Sequence, residues 1–268
     1  MTQFETVESS QQQDSSLGIT ALHSRLRKMI LEGVYPPGSL IPQEELARTL
    51  GVSRTPLREV LRLLQKEGLV EAGRYQRSRV APFEPADLDN LYAGRIQLET
   101  LGITLTVPRL QQQELDTLSA LLDEMREAPG VDEWEIPHRR FHQILVSQAG
   151  KQLCSIISNF SDQSYSYRRI RGQVEGHTKS ISMVEHGSIL EACQNRNREL
   201  AAQHLARHLA RTALSVLANL APEYDPVAVR TALQIAQAGT TLADETYAAK
   251  RRSNAEAGIG RTRVSGTR

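Results

Sequence analysis

Cysteine is scarce in this sequence. Only two occur, Cys154 and Cys193, far apart and without CxxC spacing. That excludes a disulfide framework and a cysteine zinc site, and it fits a reducing cytoplasm. Net charge is nearly absent too: 32 Lys and Arg against 31 Asp and Glu leave +1, so any contact with nucleic acid must be local. No apolar run approaches the roughly 18 residues of a membrane span. The polar start MTQFETVESSQQQDSS lacks the apolar core of a signal peptide. A cytoplasmic protein without a membrane partner is expected. What is present, 40% hydrophobic and 24% charged residues over 268 positions, suffices for two domains with cores of their own.

Residues 1–17 are polar and glutamine-rich, too poor in apolar surface to offset chain entropy, and are expected to be disordered. Leu22, Leu26, Met29 and Ile30 then recur at helical spacing up to a stop at Gly33. After the loop YPPGSLIP, a short helix from Gln43 to Leu50 ends at Gly51, and Ser53 is placed to cap the next helix. In that helix Leu57, Val60, Leu61 and Leu64 form a buried stripe, while Pro56 falls in the first turn, where its missing N–H costs little. LVEAG and SRVAPF read as two short strands around the basic tip RYQR. Arg54, Arg58 and Arg62 follow one another at i+4 steps away from the leucine stripe, with Thr55 beside them. A helix of this kind, behind a short helix and a tight turn, suits a major groove, where guanidinium forks meet guanine edges or phosphates. The alternative, a solvated face of a bundle helix, does not account for the order of helix, turn, helix and hairpin.

GVSRTPLREVLRLLQKEGLV, preceded by YPPGSLIPQEELARTL, resembles the winged helix-turn-helix of the GntR superfamily of bacterial transcription regulators over about residues 18 to 82. The resemblance implies a DNA-binding domain at 18–83, with Ser53, Arg54, Thr55 and Arg58 as DNA contacts and Arg54 and Arg58 as base readers. Two positions depart from the pattern. Glu44 stands where many members carry an arginine, and Arg77 stands at the wing tip in place of a glycine, so a side-chain contact from Arg77 would replace a close backbone approach.

APFEPADL reads as a linker, with the boundary near Glu84. Beyond it only helices are expected, packed as an antiparallel bundle over residues 84–240, with DPVAVRTALQIAQAG adding a helix late in the chain. Residues 241–268 are basic and poor in apolar side chains, and are expected to form a disordered tail with non-specific DNA affinity. The fold class expected is therefore mainly α: an N-terminal winged helix-turn-helix followed by an all-α antiparallel helical bundle.

Seven histidines occur, and two of them, His138 and His142 in PHRRFHQIL, share one helical face. With His186 in EHGSIL and His208 in ARHL, four histidines from three helices are placed to converge inside a bundle. The pattern resembles the FCD ligand-binding domain of the FadR-like GntR branch, which implies His138, His142, His186 and His208 as metal ligands. His138 occupies the place of a family carboxylate or amide, and so either supplies a fourth imidazole or leaves a three-histidine site. Imidazole donors favour zinc, with nickel or another borderline metal as the alternative. The ion's undiminished charge would draw a small anionic effector, a carboxylate above all. Arg95 matches an arginine common on the first helix of such domains; it either holds the other end of the effector or pairs with Glu99. His204, one turn before His208, is a competing ligand or a hydrogen-bond partner, and buried structural histidines remain the plain alternative for all four.

Joined together, these features imply a DNA-binding transcription regulator, a repressor in the first reading. As a homodimer it would bind an inverted repeat and respond to a small carboxylate near the metal. The rivals are the same regulator with a metal-free pocket and a histidine-site metallohydrolase. HRRFH lacks the glutamate general base of HExxH, so no catalytic residue is assigned and no enzyme is expected.

Overall fold

The computed structural model describes residues 5–73, 77–170 and 176–238, without the side chains of 5–17, 131–132, 166–170 and 176–179. Among these residues the chain is mainly helical, with one two-stranded antiparallel sheet. The expected basic tail, 241–268, and most of the wing tip lie outside the described residues.

Helix α1 runs Glu5–Leu31. Its backbone thus continues through most of the segment expected to be disordered. Residues 5–17 contain no proline and no glycine, and extending an existing helix adds one hydrogen bond per residue fixed, whereas starting one is costly. Helix α2 (Gln43–Leu50) ends where Gly51 takes a φ of 68°, a left-handed conformation that glycine adopts without Cβ strain. Helix α3 (Arg54–Lys66) follows after the three residues Gly51, Val52 and Ser53 and buries Leu57, Val60, Leu61 and Leu64, the stripe its spacing predicts. Burial of each such side chain contributes roughly 1.5–3 kcal/mol. Strands β1 (Val70–Ala72) and β2 (Ser78–Val80) pair with Val70 opposite Val80 and Ala72 opposite Ser78.

Six helices follow: α4 (Pro85–Thr106), α5 (Gln112–Glu127), α6 (Val131–Leu145), α7 (Lys151–Ile170), α8 (Gly176–Gln194) and α9 (Arg198–Leu220). Residues 227–238 are helical as well, as the apolar spacing there predicts.

The chain divides into two compact units. The first comprises Met1–Leu91, Ser155–Val174 and Ser215–Tyr224, and so includes more than the N-terminal segment bounded at residue 83. Its core gathers Leu26, Ile30, Leu46, Leu57, Leu61, Leu64 and Val80 around the α1–α3 packing, and Tyr165 of α7 belongs to it. Beside this core Arg27 bridges Glu67 (2.8 Å) and Asp162 (2.6 Å), and Gln163 donates to the Glu67 carbonyl at 2.7 Å. Local periodicity carries no information about a partner 135 positions away, which is why this addition was not visible in the sequence.

The second unit comprises Tyr92–Cys154, Glu175–Leu214 and Asp225–Arg268. Ile96, Ile103, Leu118, Leu121, Phe141, Ile189, Leu205 and Leu209 are buried in it. Arg196, at a φ of 55°, donates to the carbonyl of Val107 (3.1 Å) and to that of Leu110, which pins the α8–α9 turn to the α4–α5 turn. Gln97 donates to the Ala232 carbonyl at 2.7 Å and holds the 227–238 helix in place.

Candidate functional site

In the first unit, Ser53 is the N-cap of α3 in extended conformation, but its side chain makes no capping hydrogen bond. This differs from the expected cap. Ser53, Arg54, Thr55, Arg58, Arg62 and Arg77 are all exposed. The leucine stripe turns the α3 arginines outward by taking the opposite face for the core. Arg58, Arg62 and Arg77 line one shallow depression between α3 and the hairpin, with Gln43 beside them. Arg62 and Gln43 therefore join the positions singled out from sequence; the i+4 step from Arg58 already pointed to Arg62, whereas nothing in the local pattern pointed to Gln43. Arg54 donates to Glu44 at 2.7 Å, so the acidic residue that replaces a family arginine meets the exposed end of α3.

In the second unit, α6 supplies His138 and His142, α8 supplies His186 and α9 supplies His208; all four are buried. Pro137 lies within α6 directly before His138. Its ring nitrogen carries no hydrogen and cannot donate to the carbonyl one turn back. One ring nitrogen from each histidine lies within 4.8 Å of the others. Nε2 of His142 and Nε2 of His186 are 3.3 Å apart, close to the roughly 3.3 Å edge expected of a tetrahedron with zinc–nitrogen arms of about 2.0–2.1 Å.

Two of the four rings, those of His186 and His208, meet an acceptor on the side away from the cluster. His186 Nδ1 donates to the Ser182 carbonyl at 2.7 Å, and His208 Nδ1 lies 2.8 Å from a Glu185 oxygen that Arg211 also holds. Nδ1 of His142 stands 3.5 Å from Glu99, and Nδ1 of His138 stands 3.6 Å from Glu135. In His186 and His208 an acceptor at Nδ1 selects the tautomer whose Nε2 lone pair is available for a metal.

Burial, followed by the neighbouring His208 and His142, pushes His186 well below its usual value. Burial also lowers His208 to about 4 against the opposing pull of Glu185. Burial acts to raise Glu99, yet Arg95 and then His142 outweigh it and hold that carboxyl at about 2. Four imidazoles, with the carboxylates of Glu99 and Glu185 held ionised beside two of them, form a donor set that fits a borderline divalent metal.

Arg95 and Glu99 are each 1% exposed and pair at 2.6 Å. Through Glu99, Arg95 adjoins His142. His204 is half-buried one turn before His208 and is not a member of the cluster. His23 pairs with Glu67 in the first unit.

Comparison with known proteins agrees with both halves. Residues 19–80 match the family described as bacterial regulatory proteins, gntR family, and residues 90–211 match the FCD domain. The HTH-type transcriptional regulator YdhC of Bacillus subtilis (strain 168) is 32% identical over 191 residues, which span 69% of this chain and 85% of that protein. The HTH-type transcriptional repressor GlaR of Escherichia coli (strain K12) is 26% identical over 197 residues, 69% of this chain and 89% of that one. The solved structure of E. coli McbR/YncC superposes with a TM-score of 0.66 at 22% identity, covering 74% of this chain and 96% of that chain, a likeness of fold. The chain therefore belongs to the GntR family of bacterial regulatory proteins and is a helix-turn-helix transcription regulator with an FCD domain, not an enzyme.

Proposed function

We propose that the protein is a cytoplasmic, ligand-responsive repressor that binds an inverted-repeat operator as a homodimer. Its second unit holds a divalent metal, zinc in the first instance, and a small carboxylate beside it. The convergence of four buried histidines within 4.8 Å carries this reading.

On the DNA side, Arg54 and Arg58 read base edges, Ser53 and Thr55 meet the backbone at the start of α3, and Arg77 reaches the phosphates from the wing. One recognition helix spans only a few base pairs, so two related by a twofold axis are needed for useful specificity. The repressor GlaR, similar over most of its length, favours repression as the sign of control.

On the ligand side, His138, His142, His186 and His208 hold the metal, with His138 as a fourth imidazole. When bound, a divalent ion supplies a positive centre for an anionic oxygen. Glu99 holds Nε of Arg95, and Arg95 is assigned the far end of the acid through its terminal nitrogens. Binding there alters operator affinity only to the extent that the acid prefers one arrangement of the dimer over the other.

Metal analysis of the purified protein beside His142→Ala and His186→Ala tests the reading. Near one ion per chain in wild type, lost in both variants, is expected. Equal metal content in all three would overturn the site and leave a regulator with a metal-free pocket.

A further inference from the structure

Helix α3 is capped by Glu67, after which Gly68 turns the chain at a φ of 74°. The turn satisfies two terminal carbonyls of the helix from the backbone: Gly68 donates to Gln65 at 3.1 Å and Leu69 donates to Leu64 at 3.0 Å. The carbonyl of Glu67 accepts instead from the side chain of Gln163, at 2.7 Å. Its carboxylate is held as well, by His23 at 2.5 Å and by Arg27 at 2.8 Å, and the buried Asp162 holds Arg27 in turn at 2.6 Å. Asp162, Gln163 and the core residue Tyr165 lie in the segment that matches the FCD domain, 90–211, yet they pack within the first unit on the segment that matches the gntR family, 19–80. Side chains that the helix-turn-helix segment does not itself contain therefore close the C-terminal end of α3.

A helix end without such partners leaves its last carbonyls to water and frays. For a helix that reads DNA this matters unequally. Sequence-independent attraction to phosphates survives a small rotation of the helix, whereas a bidentate pairing with a base edge depends on distance and angle. We propose that Gln163 and Asp162 are positioning residues for DNA recognition: Gln163 acts on α3 through the Glu67 carbonyl, and Asp162 acts through Arg27 on the Glu67 carboxylate. Together they fix the tilt at which Arg54 and Arg58 meet base edges. Both roles rest on α3 as the DNA-reading helix proposed above, and neither depends on what the histidines hold.

The test uses the full-length protein and two duplexes: the one that the wild type selects from a random-sequence pool, and a scrambled duplex of the same composition. Gln163→Met keeps the length of the side chain and removes the donor. Its affinity for the selected duplex is expected to fall by about threefold to tenfold, the value of one hydrogen bond, with affinity for the scrambled duplex unchanged. Asp162→Asn removes the charge that answers Arg27 and is expected to lower the same ratio by about threefold, a second reading should Gln163→Met fold poorly. Loss of folded protein would lower both affinities alike, so the ratio separates positioning from stability.

Wild-type discrimination in both variants, even with a lower melting temperature, would make Asp162 and Gln163 a structural staple and overturn the assignment. Equal losses on the two duplexes would overturn it too. Arg58→Ala, measured alongside, locates the failure. If it also discriminates as the wild type does, α3 is not the reading helix and both readings fall; if it loses discrimination that the α7 variants keep, α3 reads DNA and only the positioning is wrong.

Discussion

Nδ1 of His208 lies 2.8 Å from the carboxylate of Glu185, and this contact sets which nitrogen of the ring faces the other three histidines. Arg211 holds both oxygens of the same carboxylate, and against the upward push of burial His208 and Arg211 keep Glu185 ionised, at about 2. Glu185→Gln is therefore expected to weaken zinc by roughly 10–100-fold, the usual cost of losing a partner behind a metal-bound imidazole. Competition against a chromophoric chelator measures it. Unchanged affinity would show that His208 is oriented by its helix alone or does not bind the metal.

The depression between α3 and the hairpin contains arginines suited to two kinds of contact. Arg58→Ala is expected to cost about 1–3 kcal/mol of operator affinity and to relax sequence preference, as loss of a base contact does. Arg62→Ala is expected to weaken all DNA alike and to reduce the slope of log affinity against log salt by about 1, as loss of a phosphate contact does. Fluorescence anisotropy with operator and scrambled duplexes at several salt concentrations separates the two. Equal losses on both duplexes for Arg58→Ala would make that residue a phosphate contact.

Glu44 supplies a further expectation, because its pair with Arg54 is solvent-exposed and exposed pairs add little stability. Its carboxylate does oppose phosphate oxygens for the same guanidinium. Glu44→Ala is expected to bind DNA severalfold more tightly with an unchanged melting temperature. Weaker binding would mean that Glu44 orients Arg54 for its base.

Much of this site was legible because it is written in short periods. The buried stripe of α3, the turn at Gly51 and the pairing of His138 with His142 each depend on residues within one or two helical turns. Convergence of His186 and His208 on that pair was legible through a known motif, since nothing in local spacing aims one helix at another. The rest is tertiary. Glu44 meets Arg54 across a turn, Asp162 meets Arg27 over 135 residues, and Gln163 meets Glu67 over 96.

The two cysteines should behave differently. Cys193 is buried, and burial pushes its thiol up to about 12, well above its ordinary 9.0. Cys154 is half-buried and donates to the Val146 carbonyl at 3.2 Å. A disulfide reagent at pH 8 is expected to modify about one thiol per native chain and two after denaturation, because the thiolate is the reactive form. The linkage has a definite sign. With a folded value above the unfolded one, the stability Cys193 contributes is complete below about pH 9 and is lost as pH rises toward 12. Two rapidly reacting thiols in the native chain would contradict its burial.

Arg27 is one of the groups that join α7 to α1 and to the end of α3 in the first unit. Its guanidinium is mostly buried between Glu67 and Asp162, and although burial acts to lower its pKa, those two carboxylates raise it. Arg27→Met keeps the aliphatic stem and removes the charge, leaving two carboxylates near one another in a partly desolvated place. The expected loss is about 1–3 kcal/mol, below the 3–5 kcal/mol of a fully buried pair because part of the network reaches solvent. Asp162→Asn in the same background should recover part of it, since one of the facing charges is then gone. Urea denaturation of Arg27→Met, Asp162→Asn and the double variant beside wild type closes the cycle. Strictly additive losses would show that Arg27 and Asp162 do not act as a pair.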